Sequence, residues 1–274
     1  MSKTTRINEL SMEMPVLHRT RTFRFYLLPS QRFWKHHLIP SGIFQRRNLD
    51  LAFRILNALR TTFSRIRVID VGASVGMNSL HYSTKADEVV AFEPQKRVFQ
   101  ILTKNIKENG VDNIRAYPIA LGEKQSRAKL VHFNPWHDGE NYLEHTGEEI
   151  VGDDFEKELV RMATLDSFSE KFGAVHFVKI DVEGYELNVL RGGRRLLRTQ
   201  KPAVQLEISR RHARRYSAEG PEAIFEFMRK SGYLHPPCTH ARALIPEPKR
   251  MPRGCSDLFW LPNDLFETVV GQGL

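Results

Sequence analysis

The chain has 274 residues, with 41% hydrophobic and 27% charged side chains, a balance that sets aside collagen-like, coiled-coil and wholly disordered architectures. No apolar run approaches the roughly 18 to 20 residues needed to cross a bilayer, the start lacks the apolar core of a secretory leader, and there are two cysteines, Cys238 and Cys255. The expectation is therefore a cytoplasmic protein with a sizeable core and no disulfide framework. The formal charge is +9, which favours anionic partners without identifying one.

Residues 1–65 hold twelve Lys/Arg against Glu9, Glu13 and Asp50, equal to the whole excess. Residues 1 to about 43 mix basic and aromatic side chains, Arg21, Phe23, Arg24, Phe25, Tyr26 and Arg32 among them, without a sustained period. They read as an arm, either a solvated extension whose aromatics pack on the body or a contact for an anionic surface such as RNA or lipid headgroups. Leu49, Ala52, Phe53, Leu56, Leu59 and Phe63 then fall at helical spacing and predict an amphipathic helix over 45–63. This divides the chain into an arm plus helix, 1–63, and a body, 64–274.

From Ile66 short apolar runs alternate with helical ones, the pattern of successive βα units around a mostly parallel sheet. Strands are expected at Ile66–Val71, Val89–Phe92, Ile114–Pro118, Val175–Ile180 and Val204–Ile208, with helices near 76–85, 96–109, 184–198 and 221–231. Residues 120–163 break the rhythm with one extra strand, Ala128–Phe133, and an acidic segment of about 134–160. That segment is either a solvated loop or a substrate-facing lid. The apolar stretch Asp257–Leu261 predicts a late strand.

The first strand runs into Gly72-Ala73-Ser74-Val75-Gly76. Glycines there let backbone approach a ligand closely, although Ser74 breaks the dinucleotide fingerprint and no phosphate-loop ending follows. The second strand ends in Glu93-Pro94, and an acid at that position can accept hydrogen bonds from both hydroxyls of a ribose. Together they point to a nucleoside derivative with no required pyrophosphate, which S-adenosylmethionine satisfies. Asp181 ends a later strand, followed by Glu183 and Glu186 at a helix opening, where capping alone explains some of the carboxylates. Open α/β sheets bind ligands beyond their strands' carboxyl ends, the edge at which Gly72, Glu93 and Asp181 are all expected.

The ordered set Ile69-Asp70-Val71-Gly72-Ala73-Ser74-Val75-Gly76, Phe92-Glu93-Pro94, Ala120-Leu121-Gly122, Thr164-Leu165-Asp166-Ser167-Phe168 and Lys179-Ile180-Asp181-Val182-Glu183-Gly184-Tyr185-Glu186 resembles the FkbM family of S-adenosylmethionine-dependent methyltransferases over about residues 64–210. The resemblance implies a Rossmann-like class I methyltransferase fold, with helices on both faces of a twisted parallel sheet, and methylation of a hydroxyl, often on a sugar or polyketide. It assigns cofactor contacts to Asp70, Gly72, Ala73, Ser74, Gly76, Glu93 and Ala120, with Ser74 standing where the family usually has Asn. Deprotonating an aliphatic hydroxyl calls for a carboxylate or His near the methyl. Asp181 and then Glu183 are the catalytic candidates, with Glu207 and His212 in reserve.

Lys179 shares a strand face with Asp181 and is expected to pair with it. A divalent cation on Asp181 with Glu183 or Glu207 is an alternative role for that cluster, and His235, Cys238, His240 and Cys255 offer zinc-type ligands without zinc-type spacing. The competing functional reading is an RNA-binding or membrane-surface protein, or an RNA ribose methyltransferase, that works through the basic arm.

Overall fold

A computed structural model describes residues 14–20, 22–28, 46–132, 141–144, 156–209, 212–214, 220–234 and 257–271. The cysteines and the His235–His240 stretch lie outside them, as does most of the acidic segment. Inside the arm is a hairpin the sequence does not announce: β1 (Val16–Arg19) pairs antiparallel with β2 (Arg24–Leu27). Four-residue strands are too short to show a period, and burial of Phe25 and Leu27 supplies the missing reason for folding. Helix α1 (Arg46–Thr62) occupies the expected span.

The core is a seven-stranded sheet in the order β12-β13-β11-β10-β3-β4-β5. β3 (Arg67–Val71), β4 (Glu88–Phe92), β5 (Ile114–Tyr117), β10 (Phe177–Ile180) and β11 (Ala203–Glu207) run parallel. β13 (Asp257–Pro262) joins antiparallel and pairs in turn with β12 (Tyr233–Leu234). Alternation along the strands divides the core: Val68, Val89 and Ala91 pack on one face with α1 and the hairpin, while Ile69, Val71, Val90 and Phe92 pack on the other. Both faces are apolar because helices cover both. These are α2 (Met77–Ser83), α3 (Lys96–Glu108), α7 (Pro221–Lys230) and α8 (Asn263–Gly271), together with three described next.

Two expectations change. The single helix over 184–198 is two, α5 (Glu186–Arg191) and α6 (Arg194–Thr199), because Gly192 sits against other backbone, where a Cβ would lie 1.9 Å from the Gly122 carbonyl oxygen, and Gly193 against the Leu165 side chain. α4 (Leu165–Phe172) adds a helix that short spacing conceals, opened by Thr164, whose side chain accepts from the Ser167 amide at 3.1 Å. The interruption after β5 contains more strand than expected. β6 (Ala120–Leu121), β7 (Ser126–His132), β8 (Asn141–Glu144) and β9 (Glu156–Ala163) form a second sheet in the order β6-β9-β7-β8.

Candidate active site

The turn after β3 is built from residues that tolerate left-handed backbone. Gly72, Ser74 and Gly76 have φ of 77°, 50° and 91°, so Ser74 carries a strain that glycine would not. The Gly72 and Ala73 amides donate to the Phe92 carbonyl at 2.9 and 3.0 Å. A Cβ on Gly72 would lie 1.8 Å from the Asp181 carbonyl oxygen, so only bare backbone fits between β3 and β10. The Glu93 carboxylate ties the turn to the end of β4: Oε2 accepts from the Ser74 amide and Oε1 from the Gln95 amide, each at 2.9 Å. Burial pushes the Glu93 carboxyl up to about 7, against the pull of those two amides.

The register sets Lys179 of β10 opposite Asp70 of β3. The Lys179 ammonium, 2% exposed, lies 3.0 Å from Asp181 Oδ2 and 3.8 Å from Asp70 Oδ1. Desolvation works against its charge, but the two carboxylates outweigh it and hold the ammonium above its usual range. Asp70 is fully buried and accepts from Ser79 Oγ at 2.6 Å. Burial raises its carboxyl further than the more distant ammonium and Ser79 lower it. Asp70 therefore fastens β3 to β10 and α2 from beneath the turn and is not among the residues lining the cavity.

Beyond β10 the chain bends sharply. Glu183 has φ 54° and Gly184 φ 104°, and a Cβ on Gly184 would meet the His212 carbonyl oxygen at 2.4 Å. Glu183 Oε2 lies 2.7 Å from His212 Nδ1, which brings two residues from separate segments into one pair. Glu186 accepts from the Gly184 amide at 2.9 Å and is almost wholly buried. Its carboxyl, pushed up to about 7 mainly by burial, serves the bend. The Glu207 carboxyl is raised first by the Asp181 charge and then by burial.

A cavity of about 140 Å³ opens at this edge of the sheet. Of the expected residues, Gly72, Ser74, Glu93, Ala120, Asp181 and Glu183 line it, whereas Ala73 and Gly76 only shape the turn. The sequence reading missed the apolar wall of Val98, Ile119, Leu121, Leu130 and Leu143. Leu130 and Leu143 face each other across the β7–β8 ladder, and the alternation of Ala128 and Leu130 in β7 was the available signal. Among the described residues no group of three or more His, Cys, Asp or Glu is disposed to hold a metal ion, and no helix is long and apolar enough to cross a membrane.

Comparison with known proteins follows the same lines. A family model described as a methyltransferase FkbM domain matches residues 70–234. The curated relative "Methyltransferase 1" of Beauveria bassiana (strain ARSEF 2860) is 25% identical over 143 residues, 46% of this chain and 57% of its own. The chain thus spans less than two thirds of that relative. An FkbM methyltransferase from Methylobacillus flagellatus KT superposes with a TM-score of 0.46 at 18% identity, over 72% of this chain and 43% of that one. Monomeric WbdD gives 0.49 at 15% identity, over 93% and 48% respectively. For SMU.1697c of Streptococcus mutans, solved in complex with SAH, the values are 0.41 and 9%, over 78% and 95%.

Proposed function

The chain belongs to the FkbM methyltransferase family, and from that premise we propose that it moves a methyl group from S-adenosylmethionine to a hydroxyl oxygen of a carbohydrate or related metabolite. The observation that carries this reading is the convergence of Gly72, Glu93 and Asp181, from three separate strand ends, on one cavity at the carboxyl edge of the parallel sheet.

The residues present suit the cofactor. The turn at Gly72 offers backbone with no side chain in the way. Two of the roughly four acceptor sites of the Glu93 carboxylate are used by amides, which leaves two for the hydroxyls of a ribose. The apolar wall and the Ala120 backbone suit a flat purine. When bound, S-adenosylmethionine supplies an electrophilic methyl on a sulfonium. The chain's own contribution is to align an acceptor oxygen with that methyl, exclude water and accept the hydroxyl proton.

Asp181 is the proposed acceptor of that proton, with the charged Lys179 holding its Oδ2 in place and Glu183, braced by His212, as second candidate. The acceptor is read as a polyol because Asp181 and Glu183, both lining the cavity, offer acceptors to more than one hydroxyl at once. The reading is tested by incubating the protein with methyl-labelled S-adenosylmethionine and a panel of sugars, with phenols and RNA as controls. Label in a sugar ether supports it, and label confined to a phenol or to RNA refutes it.

A further inference from the structure

One polar residue sits in the apolar stripe of α3. Val98 lines the cavity, Leu102 lies where a Gly76 Cβ would meet it at 2.6 Å, and next along the stripe Asn105 is fully buried. An unpaired amide there would be costly, and Asn105 is not unpaired. Its Nδ2 donates to the Val75 carbonyl of the turn at 2.8 Å and to the Tyr26 carbonyl of the hairpin at 3.3 Å, while its Oδ1 accepts from the Tyr26 amide at 2.6 Å. One turn further on, Asn109 does the same for Arg24: Oδ1 accepts from the Arg24 amide at 2.8 Å and Nδ2 donates to its carbonyl at 2.7 Å.

The spacing explains why this works. Four helical residues advance about 6 Å and two strand residues about 6.6 Å, so asparagines at i and i+4 meet alternate residues of a strand lying along the helix. Two side-chain amides thereby substitute for a neighbouring strand on the open edge of β2. Arg24 adds an ion pair with Glu108 at 3.2 Å, and the Lys104 ammonium lies 3.5 Å from the centre of the Tyr26 ring. Asn109 touches only the hairpin and α3 in these bonds. Asn105 also holds the carbonyl between Ser74 and Gly76.

We propose that Asn105 is a positioning residue that couples the amino-terminal hairpin to the cofactor turn, so that an arm outside the family-matched segment sets the affinity of the cofactor site. The inference rests on the cofactor reading above. Two routes join the hairpin to the turn, Asn105 directly and the shared stripe of α3, and any gain in order at the turn on binding must be returned to the hairpin in equal measure.

The test uses S-adenosylhomocysteine as probe, titrated calorimetrically into the full chain, with hydrogen exchange read over residues 22–28. In the unaltered protein the probe is expected to slow exchange at the Tyr26 amide. Asn105→Ala is expected to weaken probe affinity about tenfold and to reduce that slowing to what the α3 stripe alone transmits, while Asn109→Ala weakens affinity about threefold and leaves the slowing in place. If Asn105→Ala lowers only the unfolding temperature, with affinity within twofold of the original, Asn105 is a structural staple and the proposal fails. Should Asn105→Ala not fold, Asn109→Ala decides alone: faster hairpin exchange with unchanged affinity overturns the coupling. Absence of probe binding to the unaltered protein contradicts the cofactor reading itself and removes the coupling with it, a result distinct from intact binding that ignores the hairpin.

Discussion

The two sides of the cavity are made differently. The rim is polar and comes from strand ends: Gly72, Ser74, Glu93, Asp181 and Glu183 are fixed by the register of parallel β3, β4 and β10. The opposite wall is apolar and includes the inserted sheet, with Leu130 and Leu143 on the adjacent antiparallel strands β7 and β8. A parallel register leaves almost no freedom, since one residue of slip exchanges the two faces of every strand. The wall has only to be apolar and of about the right shape. Changes to the rim should therefore alter function sharply, and changes to the wall gradually.

The largest effect is expected from Gly72→Ala. Its new methyl would stand 1.8 Å from the Asp181 carbonyl oxygen on a backbone at φ 77°, so β3 and β10 must part. A loss of about 3 kcal/mol or more of stability and no detectable S-adenosylhomocysteine binding are expected by thermal unfolding and calorimetry. Asp181→Asn should follow. Turnover at saturating cofactor is expected to fall on the order of 10²- to 10⁴-fold with cofactor affinity within threefold, and near-normal turnover would remove Asp181 as proton acceptor.

Glu93 sharpens the comparison through pH. Burial pushes its carboxyl up to about 7, above the ordinary glutamate range, and the ionised form offers the ribose hydroxyls one more acceptor site than the protonated form. Cofactor affinity should thus be full about one pH unit above 7 and decline as the pH falls through 7, because protonation replaces one acceptor site with a donor. Glu93→Gln is expected to bind about 30-fold more weakly and without that slope, because its amide nitrogen faces one of the two backbone N–H donors. The smallest effect on the site belongs to the wall. Leu143→Ala is expected to cost about 2 kcal/mol of stability and only a few-fold in cofactor affinity, both measurable in the same titrations.

Legibility in the sequence follows the same division. The parallel strands were readable because each is an apolar run bounded by Gly, Pro or charge, and the rim residues because they sit where those runs stop. Asp70 was placed correctly at the end of the first strand, but its buried partners were not foreseen. Sequence shows that it precedes the glycine turn, yet only the pairing of β3 with β10 reveals Lys179 beneath it. The split between α5 and α6 was signalled locally by the Gly192-Gly193 pair, but its cause, the close approach of Gly192 to Gly122, is a long-range fact. The hairpin was hidden because its strands are four residues long, and the wall because Leu130 and Leu143 become one face only when the pairing of β7 with β8 is known. Asn105 was on view within an apolar helical stripe, an anomaly whose explanation lay 79 residues away at Tyr26.

The central claim is that three strand ends grip one adenosyl ligand beside Asp181, and a crystal structure of the chain grown with S-adenosylhomocysteine tests it most directly. The account predicts both ribose hydroxyls within hydrogen-bond distance of Glu93, the purine against Val98 and Ile119, and the sulfur facing the Asp181 carboxylate. A ligand seated elsewhere, or one in this cavity with its sulfur turned away from Asp181, would contradict it.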